Sequence, residues 1–139
     1  MPKAIFCKAV AIHFSLLFTS LRLELGILNK ENQIFLRKEG DIIIVDIKGD
    51  ITAQSEPFIF NAYQKIEDFE KILFNFDESA YINSGGIAII IFILAKASKK
   101  NQVIYMSGLS DHFKKIFHMV GITKYSKIYS TELEALKDF

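Results

Sequence analysis

The apolar run from residue 87 to residue 95 constrains the fold more than any other feature of this 139-residue chain. Its nine residues carry no charge, and its five isoleucines favour a strand while its length suits a buried helix, so periodicity does not decide. The segments on either side decide between helix and strand. Residues 71–76 and 102–106 have the composition of strands, and two parallel strands need a crossover connection. We therefore predict a helix in a βαβ unit, with Phe92 in the core.

The three residues Ser84, Gly85 and Gly86 lie directly before this run. Ser84 is a candidate N-cap, because a serine oxygen can accept a hydrogen bond from the free N–H groups of the first helical turn. The two glycines allow the backbone to turn sharply away from the preceding strand. A small hydroxyl is thus predicted at the beginning of a buried helix.

The other elements follow from local signals. The stretch "QIFLRKEGDIIIVDIKGD" predicts a hairpin around Glu39, Gly40 and Asp41. Ser55 is the predicted cap of a helix that ends near Asp68. Its expected apolar face consists of Phe58, Ala62 and Ile66.

A further helix is predicted between Ser110, as its cap, and Gly121, as its end. Its expected apolar face consists of Phe113, Ile116, Phe117 and Val120. A short strand near 126–130 and a last helix from Thr131 complete the pattern.

Composition restricts the function. A formal charge of +1 disfavours a nucleic-acid-binding protein, and the single cysteine, Cys7, excludes an internal disulfide framework. His112 and His118 are six residues apart, which does not place them on one helical face as metal ligands. "NSGG" lacks the Gly-Lys-Ser/Thr ending of a nucleotide-binding loop and is not a Gly-x-Ser-x-Gly nucleophile elbow. We expect no cofactor, no metal and no enzymatic activity.

The first 32 residues differ from the rest. The first thirty contain four basic residues and one acid, and the stretch from Ala9 to Phe18 is similar to the apolar region of a signal peptide. His13 interrupts that stretch, no clear cleavage site follows, and it is too short for a membrane span. We predict a hydrophobic extension of undecided role at 1–32, one domain at 33–139, and a cytoplasmic location.

The order hairpin, helix, strand, "INSGGI", apolar helix, strand and "FKKIFHMVGI" resembles the STAS domain, the module of bacterial anti-sigma factor antagonists. This resemblance implies an α/β fold, with a mixed β-sheet that opens with a β-hairpin and is flanked by about four helices. It also aligns the family's Asp-Ser-(Ser/Thr/Ala)-Gly loop with this chain, so that the family's phosphorylated serine falls on Ser84, the next position on Gly85 and the glycine on Gly86.

As the resemblance implies, the chain would bind an anti-sigma factor that is a serine kinase of the ATP-binding type, and phosphorylation of Ser84 would end the binding. Contacts are expected from the loop around Ser84 and from the exposed side of the following helix. The implied partner-binding residues are Asn83, Ser84, Gly85, Gly86, Gly49, Asp50 and Thr52. The alternative is a STAS scaffold or regulatory subunit of a signalling or membrane-transport complex without a phosphoswitch.

Two positions depart from the family pattern. Asn83 stands where the family usually has an aspartate before the serine, and Thr52 stands where it has another after the glycine that ends the second strand. Asp50 lies nearby in sequence. Ser84 is therefore either a regulated phosphorylation site or a plain helix cap.

Overall fold

The structure is a computed structural model that describes residues 33–139. The predicted extension at 1–32 lies outside the described residues, and the division into extension and domain stays a prediction. The elements are β1 (Gln33–Glu39), β2 (Ile42–Lys48), α1 (Glu56–Lys65), β3 (Lys71–Phe76), α2 (Ser84–Lys99), β4 (Val103–Ser107), α3 (Asp111–Met119), β5 (Ile128–Tyr129) and α4 (Glu132–Lys137). Two short 3-10 turns, at Ala53–Ser55 and Ile122–Lys124, follow β2 and α3.

Five strands form one mixed sheet in the order β1-β2-β3-β4-β5. The β1–β2 hairpin is antiparallel and the other neighbours are parallel. The apolar run forms α2, which connects the parallel strands β3 and β4. The predicted α/β class, the opening hairpin and the helix in the apolar run are therefore confirmed.

Both faces of the sheet are covered, which explains why β2 is apolar almost without interruption. On one face, Ile43, Val45 and Ile47 pack in the main core with buried residues of α1, α2 and α3. On the other face, Ile44 packs with Leu73 and with residues of α4. Successive β2 side chains thus alternate between two apolar environments.

Several helix boundaries follow the sequence signals. Ser110 accepts a hydrogen bond from the Phe113 N–H at 3.3 Å and caps α3, and Thr131 caps α4 in the same way. Gly121 follows α3 with a left-handed φ of 83°, which a glycine adopts without strain.

Other expectations are wrong in detail. The Ser55 side chain does not cap α1, and that helix ends at Lys65 rather than near Asp68. Of the predicted apolar face, Ala62 and Ile66 are buried together with Ile59 and Tyr63, but Phe58 is 47% exposed. Val120 in α3's expected apolar face is also exposed.

A polar cluster ties α4 to its face of the sheet. The Arg37 guanidinium donates hydrogen bonds to the carboxylates of both Asp46 and Glu132, and the Asn75 amide donates to the same two groups. The hydrogen bonds from Arg37 hold the pKa of Asp46 below its usual range. The cluster therefore joins β1, β2, β3 and α4.

Candidate functional site

The candidate site lies where the loop after β2 meets the loop before α2. The Ile51 N–H donates a hydrogen bond to the Tyr81 carbonyl at 2.8 Å, and the Asn83 N–H donates to the Ile51 carbonyl at 3.1 Å. Ile51 and Ile82 form an isolated parallel bridge, and both side chains are buried. The two loops are therefore joined like a short extension of the β2–β3 pairing.

Asp50 and Gly49 shape the β2 side of this junction. The Asp50 carboxylate accepts a hydrogen bond from the Tyr81 N–H at 2.9 Å, which adds a side-chain link to the backbone pairing. Gly49 has a φ of 90°, a conformation that side-chain-bearing residues rarely adopt. The backbone of Tyr81 is thus held on both sides, through its N–H and its carbonyl.

Thr52 organises the turn that follows. Its hydroxyl accepts a hydrogen bond from the Gln54 N–H at 3.2 Å, and its own N–H donates to the Ser55 hydroxyl oxygen at 3.0 Å. This reciprocal arrangement is a capping box for the 3-10 turn. Ser55 therefore acts as the second member of that box and not as the predicted cap of α1.

Asn83, and not Ser84, is the N-cap of α2. Its backbone is extended, with φ −87° and ψ 179°, and its side-chain oxygen accepts a hydrogen bond from the Gly86 N–H at 2.9 Å. The prediction that Ser84 caps the helix is wrong because the asparagine one residue earlier occupies the cap geometry.

Ser84 is consequently the first residue of the helix, and its side chain is exposed. Among residues 33–139, its hydroxyl has no hydrogen-bonding partner. No acidic residue lies in the first turn of α2, so the positive end of a 16-residue helix is not offset there by a carboxylate. The site thus offers an accessible hydroxyl in a favourable environment for negative charge.

The two glycines allow the helix to approach the neighbouring loop. A Cβ built on Gly86 would lie 2.3 Å from the Ile51 carbonyl oxygen, and one on Gly85 would lie 2.9 Å from the Ala53 Cβ. Gly86 therefore tolerates no side chain at this separation of helix and loop.

The structure brings together all seven residues predicted for the partner-binding loop. Asn83, Ser84, Gly85 and Gly86 begin α2, and Gly49, Asp50 and Thr52 lie in the loop beside it. Sequence reasoning missed Ile51, Tyr81 and Ile82, which join the two loops. No local pattern indicates this bridge, because its two residues are 31 positions apart and neither lies in an alternating segment.

An exposed aromatic side chain precedes Ser84 by three residues. The Tyr81 ring is 60% exposed and packs edge-on against Phe113 of α3, with ring centroids 5.9 Å apart. Farther along α2, Phe92 is 57% exposed, so the prediction that it lies in the core is wrong.

No group of three or more His, Cys, Asp or Glu side chains between residues 33 and 139 could hold a metal ion. None of the helices in this range is long and apolar enough to cross a membrane. His112 and His118 are both exposed.

The family model described as "STAS domain" matches residues 33–135, which is more than half of the chain. The chain belongs to the STAS domain family. This STAS domain is similar to the anti-sigma-B factor antagonist of Listeria monocytogenes, with 23% identity over 99 residues, covering 70% of this chain and 87% of that protein.

Solved structures share the fold of this STAS domain. An anti-sigma factor antagonist from Mycobacterium paratuberculosis superimposes with a TM-score of 0.67 at 15% identity, covering 79% of this chain and 95% of that one. The Bacillus cell fate determinant SpoIIAA in its phosphorylated form superimposes with a TM-score of 0.56 at 12% identity, covering 76% of this chain and 98% of that one. The sheet order and the opening hairpin of this chain are therefore those of a known fold.

Proposed function

We propose that this STAS domain is an anti-sigma factor antagonist that binds a kinase-type anti-sigma factor, and that phosphorylation of Ser84 by that kinase ends the binding. The observation that carries the proposal is the exposed Ser84 hydroxyl at the hydrogen-bonded junction of two loops and a helix. Support for the class comes from the names of the similar proteins.

In the phosphorylation step, this chain supplies the accessible hydroxyl. The Ser84 oxygen attacks the γ-phosphorus of ATP bound to the partner kinase, the bond from that phosphorus to the ADP oxygen breaks, and the hydroxyl proton passes to a base of the kinase. Because Ser84 is exposed and Asn83 performs the capping, the hydroxyl can react without breaking a hydrogen bond of the fold.

The phosphorylated state should keep the fold. A phosphoserine carries about −1.5 to −2 charges at neutral pH, and the N-terminus of a helix favours negative charge by about 0.3–1 kcal/mol. The first turn of α2 contains no acid that would oppose it, and the cap at Asn83 stays in place. The switch therefore acts on the surface and not on folding.

Release follows from the position of Ser84 within the binding surface. A bound partner has to exclude water from this junction, and a phosphate resists that desolvation. The same group would repel acidic side chains of the partner. We therefore expect the anti-sigma factor to dissociate and to become available for its sigma factor.

The activity of the protein in this proposal is binding, not catalysis. A STAS scaffold or subunit without a phosphoswitch is the alternative, and one observation favours it. Asn83 and Thr52, which replace the family's aspartates, are neutral and are both engaged as caps. If the kinase needs a carboxylate at either position, Ser84 would not be phosphorylated.

The test uses the purified full-length chain with each ATP-binding anti-sigma factor encoded by the same genome. We expect wild type to bind, the mass of one phosphoryl group to appear on addition of Mg-ATP, and the modified residue to be Ser84. Ser84→Asp should lose binding while its circular dichroism and unfolding midpoint stay at the wild-type values.

Ser130→Asp is the matched control, because Ser130 is another exposed serine, lies outside the two loops of the site, and accepts a hydrogen bond from the Lys114 ammonium that an aspartate can also accept. It should bind almost as wild type does. Equal affinity of wild type and Ser84→Asp for a bound anti-sigma factor would refute the switch. Binding of transport or scaffold proteins alone would favour the alternative.

A further inference from the structure

We propose that Phe92 is a second anchor of the surface that begins at Ser84, and that its ring enters an apolar pocket of the same anti-sigma factor. This inference rests on the proposed function and adds a specificity-determining residue that lies outside the loop around Ser84.

Phe92 is unusual within its own helix. Four large aliphatic residues of α2 are buried at 6% exposure or less: Ile89, Ile90, Ile93 and Leu94. Phe92 instead keeps 57% of its surface in contact with solvent. Ser84, Ala88 and Phe92 follow one another at four-residue spacing and are all exposed, so Phe92 lies on the face of α2 that begins at Ser84.

The exposed ring is held in place. Phe60 of α1 packs against the main core and meets Phe92 edge-on, with centroids 5.3 Å apart and an interplanar angle of 78°. An aromatic pair in this geometry stabilises one orientation of the exposed ring. A ring that is already oriented loses less conformational entropy on binding, as is typical of residues that dominate interface energies.

Phe92 lies within reach of a partner centred on Ser84. Eight residues separate them on α2, which corresponds to about 12 Å along the helix axis. A standard interface covers about 800 Å² per partner, a disc with a radius of about 16 Å. One partner can therefore cover both residues.

The side chains that α2 exposes between Ser84 and Phe92 are small. Gly85 and Ala88 are the small residues that α2 presents there, and Ala88 is exposed. A partner can therefore lie close to the helix over this stretch and bind the Phe92 ring, which is larger than the side chains before it on this face. The expected counterpart is an apolar pocket next to a flat contact.

Charge at the far end of α2 defines the rim of that pocket. Lys96 and Lys100 both form salt bridges with Glu67 at 3.3 Å, and Lys99 is exposed in the same turn. The end of α2, residues 96–100, itself contains three lysines and no acid, so acidic side chains of the partner should border the pocket.

The experiment measures the dissociation constant of the anti-sigma factor that binds wild type, by calorimetry, for Phe92→Ala and for Leu133→Ala. Alanine is the best helix former, so Phe92→Ala preserves α2. Leu133 is the matched control, because it is 63% exposed but belongs to α4 on the opposite face of the sheet. We expect Phe92→Ala to raise Kd at least tenfold and Leu133→Ala less than twofold. Phe92→Ala also loses the contact with Phe60, so its unfolding midpoint should fall by a few degrees while the protein stays folded at the assay temperature.

Unchanged Kd for Phe92→Ala, with binding lost by Ser84→Asp, would overturn the inference and leave the proposed function standing. Absence of any anti-sigma factor that binds wild type would overturn both. Sedimentation of wild type as a dimer and of Phe92→Ala as a monomer would show that a second copy occupies the surface, and would also overturn the inference.

Discussion

Replacement of Gly86 by alanine should separate the two loops of the candidate site. The added Cβ would lie 2.3 Å from the Ile51 carbonyl oxygen and 2.8 Å from its carbon, whereas an ordinary contact begins near 3.4 Å. The helix and the loop must therefore move apart by about 1 Å. That movement acts directly on the hydrogen bond from Asn83 N–H to the Ile51 carbonyl.

The magnitude follows from opposing contributions. Replacing glycine by alanine within a helix stabilises the folded state by about 1 kcal/mol through helix propensity. Overpacking costs about 1–3 kcal/mol, and the weakened hydrogen bonds between the loops cost about 1 kcal/mol each. The net expectation is a loss of about 2–3 kcal/mol, which lowers the unfolding midpoint by about 10 °C or more in a domain of this size.

Urea unfolding and calorimetry of wild type, Gly86→Ala and Gly85→Ala check this prediction. Gly85→Ala is the matched control, because its Cβ would meet the Ala53 methyl group at 2.9 Å on an exposed 3-10 turn that can move more easily. We expect a smaller loss for Gly85→Ala. A Gly86→Ala protein as stable as wild type, or more stable than Gly85→Ala, would refute the close approach of helix and loop.

Three further predictions concern the cap, the polar cluster and the core. Asn83→Ala should cost about 1 kcal/mol in urea unfolding because it removes the cap of α2, whereas Ser84→Ala should cost less than about 0.5 kcal/mol; the reverse order would contradict the cap assignment. Asp46→Asn should be less stable than wild type at pH 7, and the difference should narrow as the pH falls below about 4, because the lowered pKa of Asp46 stabilises the fold only while that carboxylate is ionised; a difference independent of pH would argue against this. Tyr63→Phe should cost about 1–3 kcal/mol, since it leaves the buried Gln102 oxygen without the hydrogen bond it accepts from the Tyr63 hydroxyl; stability equal to that of wild type would show that this bond contributes nothing.

The sequence predicted the architecture well because alternating and continuous apolar patterns decide it. The strand at 71–76 and the helix over the apolar run follow from length, flanking residues and the need for a crossover between parallel strands. Ser110 and Gly121 mark the ends of α3 through cap chemistry that acts within a few residues. Such signals involve only neighbouring residues, so they can be recognised in a single sequence.

The errors arise where two local structures are equally compatible with the sequence and tertiary contacts determine which one forms. Asn83 and Ser84 are both good cap residues, and the bridge between Ile51 and Ile82, which fixes the chain just before the helix, places Asn83 in the cap. Phe92 lies in an entirely apolar run, so hydropathy could not reveal that it faces away from the sheet. The pairing of the loops depends on residues 31 positions apart, which no local pattern encodes.

The two neutral replacements at the site change its charge more than its geometry. Asparagine and aspartate are about equally good N-caps, and Asn83 makes the cap hydrogen bond that an aspartate would make. Thr52 likewise completes a capping box without a charge. A phosphate on Ser84 would therefore meet one negative charge fewer at the adjacent residue, while the helix end that stabilises it is unchanged. It follows that these replacements should leave the geometry of Ser84 intact, and that a phosphate, once attached, should be opposed by less negative charge than in a STAS domain with an aspartate at the cap, whether or not a kinase needs that aspartate to attach it.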